Sequence, residues 1–327
     1  MRAFVLALIC FAAFLSVQAA DWPHYRGVKA DGYSYETGLN LNWQAQSPKL
    51  LWRTAMTDNG FSGPSVVGNI VYIMDHQDKK DIVRAINLTT GQDVWGYSYD
   101  DPAGENWGYT RCTPTVAKGK VYTISRTGAV LCLDAAKGTV VWWKNMQKEY
   151  KGAQPGWFYS ASVVIDGEKA IVSPGGPNAT VVALNKDTGA QIWAGGGSNG
   201  ANYATPVIAT INGKRQYVLF GQRTLIGVDT ENGALLWSFP WQTGCDVNAA
   251  APVVVGNTIF ITSDYDHGCG LLELGNNGPA LRWQNKSMQA HVSSPIYADG
   301  YFYGNSNTNG GSLVCLEAAT GREMWHR

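Results

Sequence analysis

Four stretches of the chain share one pattern of apolar and polar positions. "PSVVGNIVYIMD" (64–75), "PTVAKGKVYTIS" (114–125), "PVVVGNTIFITSD" (252–264) and "PIYADGYFYGNS" (295–306) each set a proline, a short apolar run, a glycine-containing turn and a second apolar run. Short runs rich in β-branched and aromatic residues, broken by Gly-Asn, Lys-Gly or Asp-Gly, predict two antiparallel strands joined by a tight turn. A third strand-like run follows in the units that continue into "RAINLTTGQDVW", "LCLDAAKGTVVW", "VALNKDTGAQIW", "IGVDTENGALLW" and "VCLEAATGREMW". In these, Asn, Asp or Glu precedes a Gly by four residues, and the Gly precedes a Trp by four. An Asn or Asp side chain accepts bonds from backbone amides just downstream and so starts a turn, and Gly supplies the positive φ that closes it. The predicted unit is a four-stranded antiparallel meander whose outer strand carries the Trp.

The unit recurs along the chain. Trp52, Trp95, Trp142, Trp193, Trp237, Trp283 and Trp325 stand 43, 47, 51, 44, 46 and 42 residues apart, the period of a propeller blade. One such sheet leaves a face uncovered, whereas sheets stacked around an axis cover one another. The fold class predicted is therefore an all-β propeller of four-stranded antiparallel blades. Six complete units start at Phe61, Arg111, Tyr159, Tyr203, Ala249 and Val292. The fifth is irregular: Gly275 and Glu273 stand eight and ten residues before Trp283, and Gly278-Pro279 falls where the hairpin Gly belongs. "PKLLWRTAM" (48–56) has the character of an outer strand with no inner strands before it. The expectation is either a truncated seven- or eight-bladed ring or a six-bladed ring whose extra strand packs at the seam. The seven Trp residues are expected to be blade-packing wedges, since such an aromatic buries roughly 150–250 Å².

Composition narrows the partners. With 25 basic and 25 acidic residues the net charge is zero, which excludes the basic surface that drives nucleic-acid binding. Arg2, the apolar stretch 3–15 and Ser16-Val17-Gln18-Ala19 have the layout of an export signal cut after Ala19. Ile9 is too bulky for Cys10 to be a lipid-anchor site, and no other segment is long and apolar enough to be a membrane helix. The division expected is a signal peptide at 1–19, a leader at 20–47 and the propeller at 48–327, with the mature chain soluble and exported, periplasmic or secreted. Five cysteines then remain: Cys112, Cys132, Cys245, Cys269 and Cys315. Most are expected to be small buried apolar residues, with Cys245 and Cys269 the one pair worth testing for a bridge.

With these residues in hand, the repeat resembles that of the pyrroloquinoline-quinone-like (PQQ-like) β-propellers. The resemblance covers about 48–327, and "DWPHYRGVKADGYSYETGL" is similar to the leader of exported bacterial members. The resemblance implies fold more firmly than activity. Its superfamily includes quinoprotein alcohol dehydrogenases, which hold PQQ in the funnel beneath a pair of adjacent cysteines and beside a Glu/Asn/Asp calcium site, and non-catalytic scaffolds of outer-membrane barrel assembly. This sequence has no Cys-Cys pair, so no residue is carried over as a quinone or calcium ligand.

Ligand chemistry in such a ring belongs to the loops entering each innermost strand, which cluster around the central funnel. Trp107, Tyr109, Arg111, Trp157, Tyr159, Tyr203, Asp246, Asn248 and His291 fall in those loops and are the candidate ligand residues. Asp264, Asp266 and His267 share one loop but lack the ligand count of a cation site, so no metal site is expected. There is no HExxH, GxSxG or P-loop motif. The function expected is an exported, non-catalytic propeller that binds an envelope or extracellular protein or ligand, without a cofactor. Two alternatives stand beside it: a PQQ-dependent oxidoreductase with calcium, and a glycan-binding module.

Overall fold

A computed structural model describes residues 20–307 and 311–327. The export-signal reading of 1–19 lies outside the described residues. Six four-stranded antiparallel sheets follow one another, each with its strands in sequence order. The first comprises β1 (Ser65–Val67), β2 (Ile70–Gln77), β3 (Lys80–Asn87) and β4 (Asp93–Asp100). The other five span 115–145, 164–195, 207–240, 253–285 and 296–326, and one short helix, Met146–Tyr150, follows the second. The architecture is an all-β propeller of six full blades.

Burial explains the sequence pattern. The middle strands are covered by neighbouring sheets on both faces, so "AVLCLD" (129–134) and "VVALN" (181–185) are buried almost throughout. Outer strands alternate, as in "DVWGYSYD" of β4, because one face meets the next sheet and the other meets water.

The hairpins form as their side chains dictate. Asn87 Oδ1 accepts from the amides of Thr89 (2.9 Å) and Thr90 (3.0 Å), and Asp134 accepts from Ala136 (3.0 Å) and Lys137 (2.9 Å). The fifth sheet departs from the rest. There Leu271, not Glu273, faces Trp283, because Gly275 pairs with Gly278 across a two-residue turn and lengthens both strands.

Contacts between sheets run through the hairpins. Trp95 lies over Gly138, Trp142 over Gly189, Trp193 over Gly233 and Trp283 over Gly321, each on the following sheet. Indole N–H groups donate to Ala135 O (3.0 Å), Lys186 O (2.8 Å) and Ala318 O (3.0 Å) in three of these. The Trp193 indole has no acceptor; the equivalent carbonyl, Thr230 O, accepts from Lys169 Nζ at 2.8 Å instead. Trp237 turns to Gln216 Oε1 (2.6 Å) in its own sheet, since the altered fifth hairpin offers no glycine in that place.

Residues 48–56 form no strand and expose Leu50 and Leu51, so the outer-strand expectation is corrected for backbone pairing. Their side-chain geometry is nonetheless that of an outer strand: Trp52 lies over Gly91 and donates to Leu88 O at 2.7 Å. Trp325, at the outer strand of the sixth sheet, is 38% exposed, and the place on the first sheet where it would lie in a closed six-fold ring is held by Trp52.

Candidate functional site

In an antiparallel meander the connections between sheets and those between second and third strands emerge at one end of the ring. Hydrogen bonds link these loops in succession. Phe61 N donates to Thr110 O (2.8 Å), and the Arg111 guanidinium donates to the carbonyls of Asn106 and Trp157. Trp157 N donates to the Tyr203 hydroxyl (3.2 Å), Asn202 Nδ2 to Asp246 O (3.3 Å), and Ala251 N to Ser294 Oγ (2.7 Å). The result is a stitched collar rather than independent loops.

The collar holds several candidate residues at its surface. Trp107 is 73% exposed, Trp157 and Tyr203 are tilted 57° to each other with centroids 6.5 Å apart, and His291 Nε2 sits 3.3 Å from the Tyr265 hydroxyl. Asp246 grips Arg223 through both carboxylate oxygens, at 2.9 and 2.8 Å. Tyr109 stacks on His76 with centroids 3.7 Å apart.

Two candidates are not in the collar surface. Tyr159 is 3% exposed, packs in the core between the second and third sheets, and donates to Pro174 O at 3.0 Å. Asn248 is wholly buried, accepting from Ser263 Oγ (2.6 Å) and donating to Trp241 O (3.2 Å). Both satisfy inward-facing backbone groups, a role that loop position alone does not separate from ligand binding.

The acidic loop also resolves into separate contacts. Asp266 pairs with Lys286 (2.6 Å), Asp264 accepts from Asn307 (2.6 Å), and His267 packs edge-on against Trp241 with its pKa lowered by burial. Cys245 is exposed and Cys269 buried, and both are free thiols, so the pair singled out for testing is not bridged.

The sequence reading missed one constellation altogether. His76 at the end of β2, Asp81 at the start of β3, Asp101 just after β4 and Arg126 of the second sheet converge in the interior. His76 Nδ1 lies 2.8 Å from Asp81 Oδ1, the Tyr99 hydroxyl donates to Asp81 Oδ2 (3.2 Å), and Arg126 Nε donates to Asp101 Oδ2 (2.9 Å). Burial pushes the Asp81 carboxyl up to about 6, opposed by His76. Donor atoms of His76, Asp81 and Asp101 come within 4.8 Å of one another. The Arg126 guanidinium already supplies the cation there, with its remaining N–H groups on Gly104 O and Ala103 O. The four residues are spread over 50 positions of sequence, and no local motif announces them.

Residues 79–327 match the family described as outer membrane protein assembly factor BamB. The chain belongs to that family. An outer membrane protein assembly factor BamB of Shewanella oneidensis is 27% identical over 273 residues, covering 75% of this chain and 63% of the relative. A quinohemoprotein alcohol dehydrogenase of Comamonas testosteroni is 30% identical over 139 residues, covering 40% of this chain and 19% of the relative. The chain thus spans less than two thirds of these relatives' lengths. In fold it is similar to a europium-containing methanol dehydrogenase, with a TM-score of 0.66 at 14% identity over 95% of this chain and 78% of that one.

No described helix is long and apolar enough to cross a membrane. A calcium site does not fit the carboxylates present, since Asp246 is engaged by Arg223 and Asp101 by Arg126. Two of the Arg111 N–H groups donate to carbonyls, and its buried Nε has no partner among the described residues.

Proposed function

We propose that this chain is a non-catalytic envelope protein whose loop collar docks a protein partner. One observation carries the reading: the collar's polar groups bond one another, while large apolar side chains face outward. Phe61 is 68% exposed, Trp107 73%, Val292 63% and Tyr265 38%. Trp107 and Tyr265 hold positive φ (55° and 61°), a conformation bulky residues rarely adopt, and one that the stitched loops impose. Rigid exposed aromatics around a polar rim are the anatomy of a protein-binding surface. Membership of the BamB family supports an envelope partner, and we propose that no cofactor is needed.

The test is quantitative co-purification from envelope extracts with wild type and with Trp107→Ala/Val292→Asp, together with titration of PQQ and calcium. A partner retained by wild type and lost by the variant at unchanged Tm supports the reading. Saturable PQQ binding with dye-linked alcohol oxidation sinks it in favour of the oxidoreductase alternative.

A further inference from the structure

The leader does not lie on the outside of the ring. Trp22 pairs with Val66 of β1 through two backbone bonds (2.8 and 2.9 Å), and Val116 N of the second sheet donates to Pro23 O (2.8 Å). On the far side of the axis, the Tyr25 hydroxyl meets Ser294 Oγ (2.9 Å) and Arg26 Nη2 donates to Pro295 O (2.7 Å). The segment therefore crosses the axial channel. Asp21 accepts from the turn amide of Gly68 (2.8 Å), so the leader starts at the end opposite the loop collar, and Tyr25 reaches the collar residue Ser294. Gly27 makes the crossing possible: its φ is +76°, and a Cβ there would come 2.7 Å from the Trp22 ring.

Between leader and inner strands lies a cavity of about 220 Å³. It has room for about seven water-sized groups, taking about 30 Å³ for each. Its walls are apolar, chiefly Val163, Val164, Val207 and Ile208, and the leader contributes His24, Arg26 and Lys29. No acidic side chain lines it. Arg26 is held by carbonyls, with Nε donating to Ala30 O (3.1 Å) and Nη2 to Asp31 O (2.9 Å) and Pro295 O, and the Tyr25 side chain stands against the guanidinium. Among the described residues no carboxylate lies within ion-pair distance of the guanidinium. Burial lowers the Arg26 pKa, opposed by Tyr25 and then by Asp31.

A half-buried guanidinium without a counter-ion, beside an apolar wall, is matched by an anion with an apolar body. We infer that the axial cavity is a binding site for a small monocarboxylate of about benzoate size, its carboxylate on the Arg26 guanidinium and its body against Val164 and Ile208. The site adjoins the loop collar at Ala251 but does not depend on the protein-docking reading.

Calorimetric titration of the full chain with benzoate tests this, with benzamide and inorganic phosphate as comparison arms. Saturable benzoate binding is expected, weakened at least tenfold in Arg26→Gln and abolished in Ile208→Trp, which fills the cavity without changing its charge. Benzamide and phosphate are expected to bind at least tenfold more weakly than benzoate. Hydrogen exchange at the Val66 and Val116 amides, which bond Trp22 and Pro23, reports whether the leader stays seated in each variant. Failure of benzoate to bind, equal binding of benzamide, or undiminished binding in Arg26→Gln with the leader seated would overturn the proposal.

Discussion

Trp95 and Gly138 belong to different sheets, and the indole occupies the space a side chain on Gly138 would need. A Cβ there would come 2.6 Å from the ring, at a φ of +69°. Gly119, in the same second sheet, has a similar φ of +75° with nothing within 4 Å. Substituting either by Ala imposes the backbone strain of a positive φ, about 1 kcal/mol. Only Gly138→Ala must also displace Trp95, an overpacking effect of about 1–3 kcal/mol more. Urea denaturation of the two variants isolates the indole contact, and equal losses would remove it as a source of stability.

Asp81 makes stability depend on pH. Its carboxyl is pushed up to about 6 by burial, above the ordinary value of 3.8. A carboxyl raised on folding contributes stability that is complete below about pH 4 and lost as pH rises through about 6. Two units correspond to about 3 kcal/mol. Asp81→Asn has no such proton to lose, so its stability relative to wild type should rise by up to about 3 kcal/mol between pH 4 and pH 8. Parallel pH profiles for the two proteins would show that the buried carboxylate is fully compensated.

The ring was legible in the sequence because each blade repeats a local chemistry. Asn87, Asp134 and Asn185 start their hairpins through their own amide bonds, and Gly91, Gly138 and Gly189 close them, so spacing alone places the turns. The fifth hairpin was misplaced because Gly275 and Gly278 permit a shorter turn that slides the partner of Trp283 by two residues. The loops that form the collar were legible as loops, but the direction of each side chain in them was not. Tyr159 and Asn248 sit in those loops yet turn inward to backbone carbonyls that only the assembled ring brings near. The His76, Asp81, Asp101 and Arg126 cluster joins two sheets and has no spacing to betray it. The leader's course through the axis was equally hidden, since its partners Val66, Val116 and Pro295 lie in three different sheets.

Thiol chemistry should separate one cysteine from the rest. Cys245 is exposed, whereas Cys112, Cys132, Cys269 and Cys315 are buried. Burial pushes the Cys112 thiol up to about 11 and those of Cys132 and Cys269 to about 12, so few thiolates form there at neutral pH. A chain beginning at residue 20 should release one equivalent of thionitrobenzoate rapidly when native and five when denatured. Loss of the rapid equivalent in Cys245→Ser completes the assignment; two rapid equivalents in the native chain would contradict the burial.

Arg126 and Asp101 form an ion pair with both side chains fully buried, 2.9 Å apart, at the junction of the first and second sheets. The pair is more than a Coulomb contact, because the guanidinium also bonds Gly104 O (2.9 Å) and Ala103 O (2.6 Å) and lies 4.5 Å from the Tyr109 ring centre. It thereby holds the 101–111 loop, which carries Trp107, against the ring. Arg126→Met keeps the stem but leaves Asp101 charged without a partner, and removing one member of a buried pair is worth about 3–5 kcal/mol of stability. Asp101→Leu combined with Arg126→Met removes both charges, so the double variant should lose less than the sum of the singles. Partner binding distinguishes the loop effect from simple destabilisation. At a temperature where both single variants remain folded, Arg126→Met should weaken binding through Trp107, and a partner affinity equal to wild type would show that the loop does not rely on Arg126 for its position.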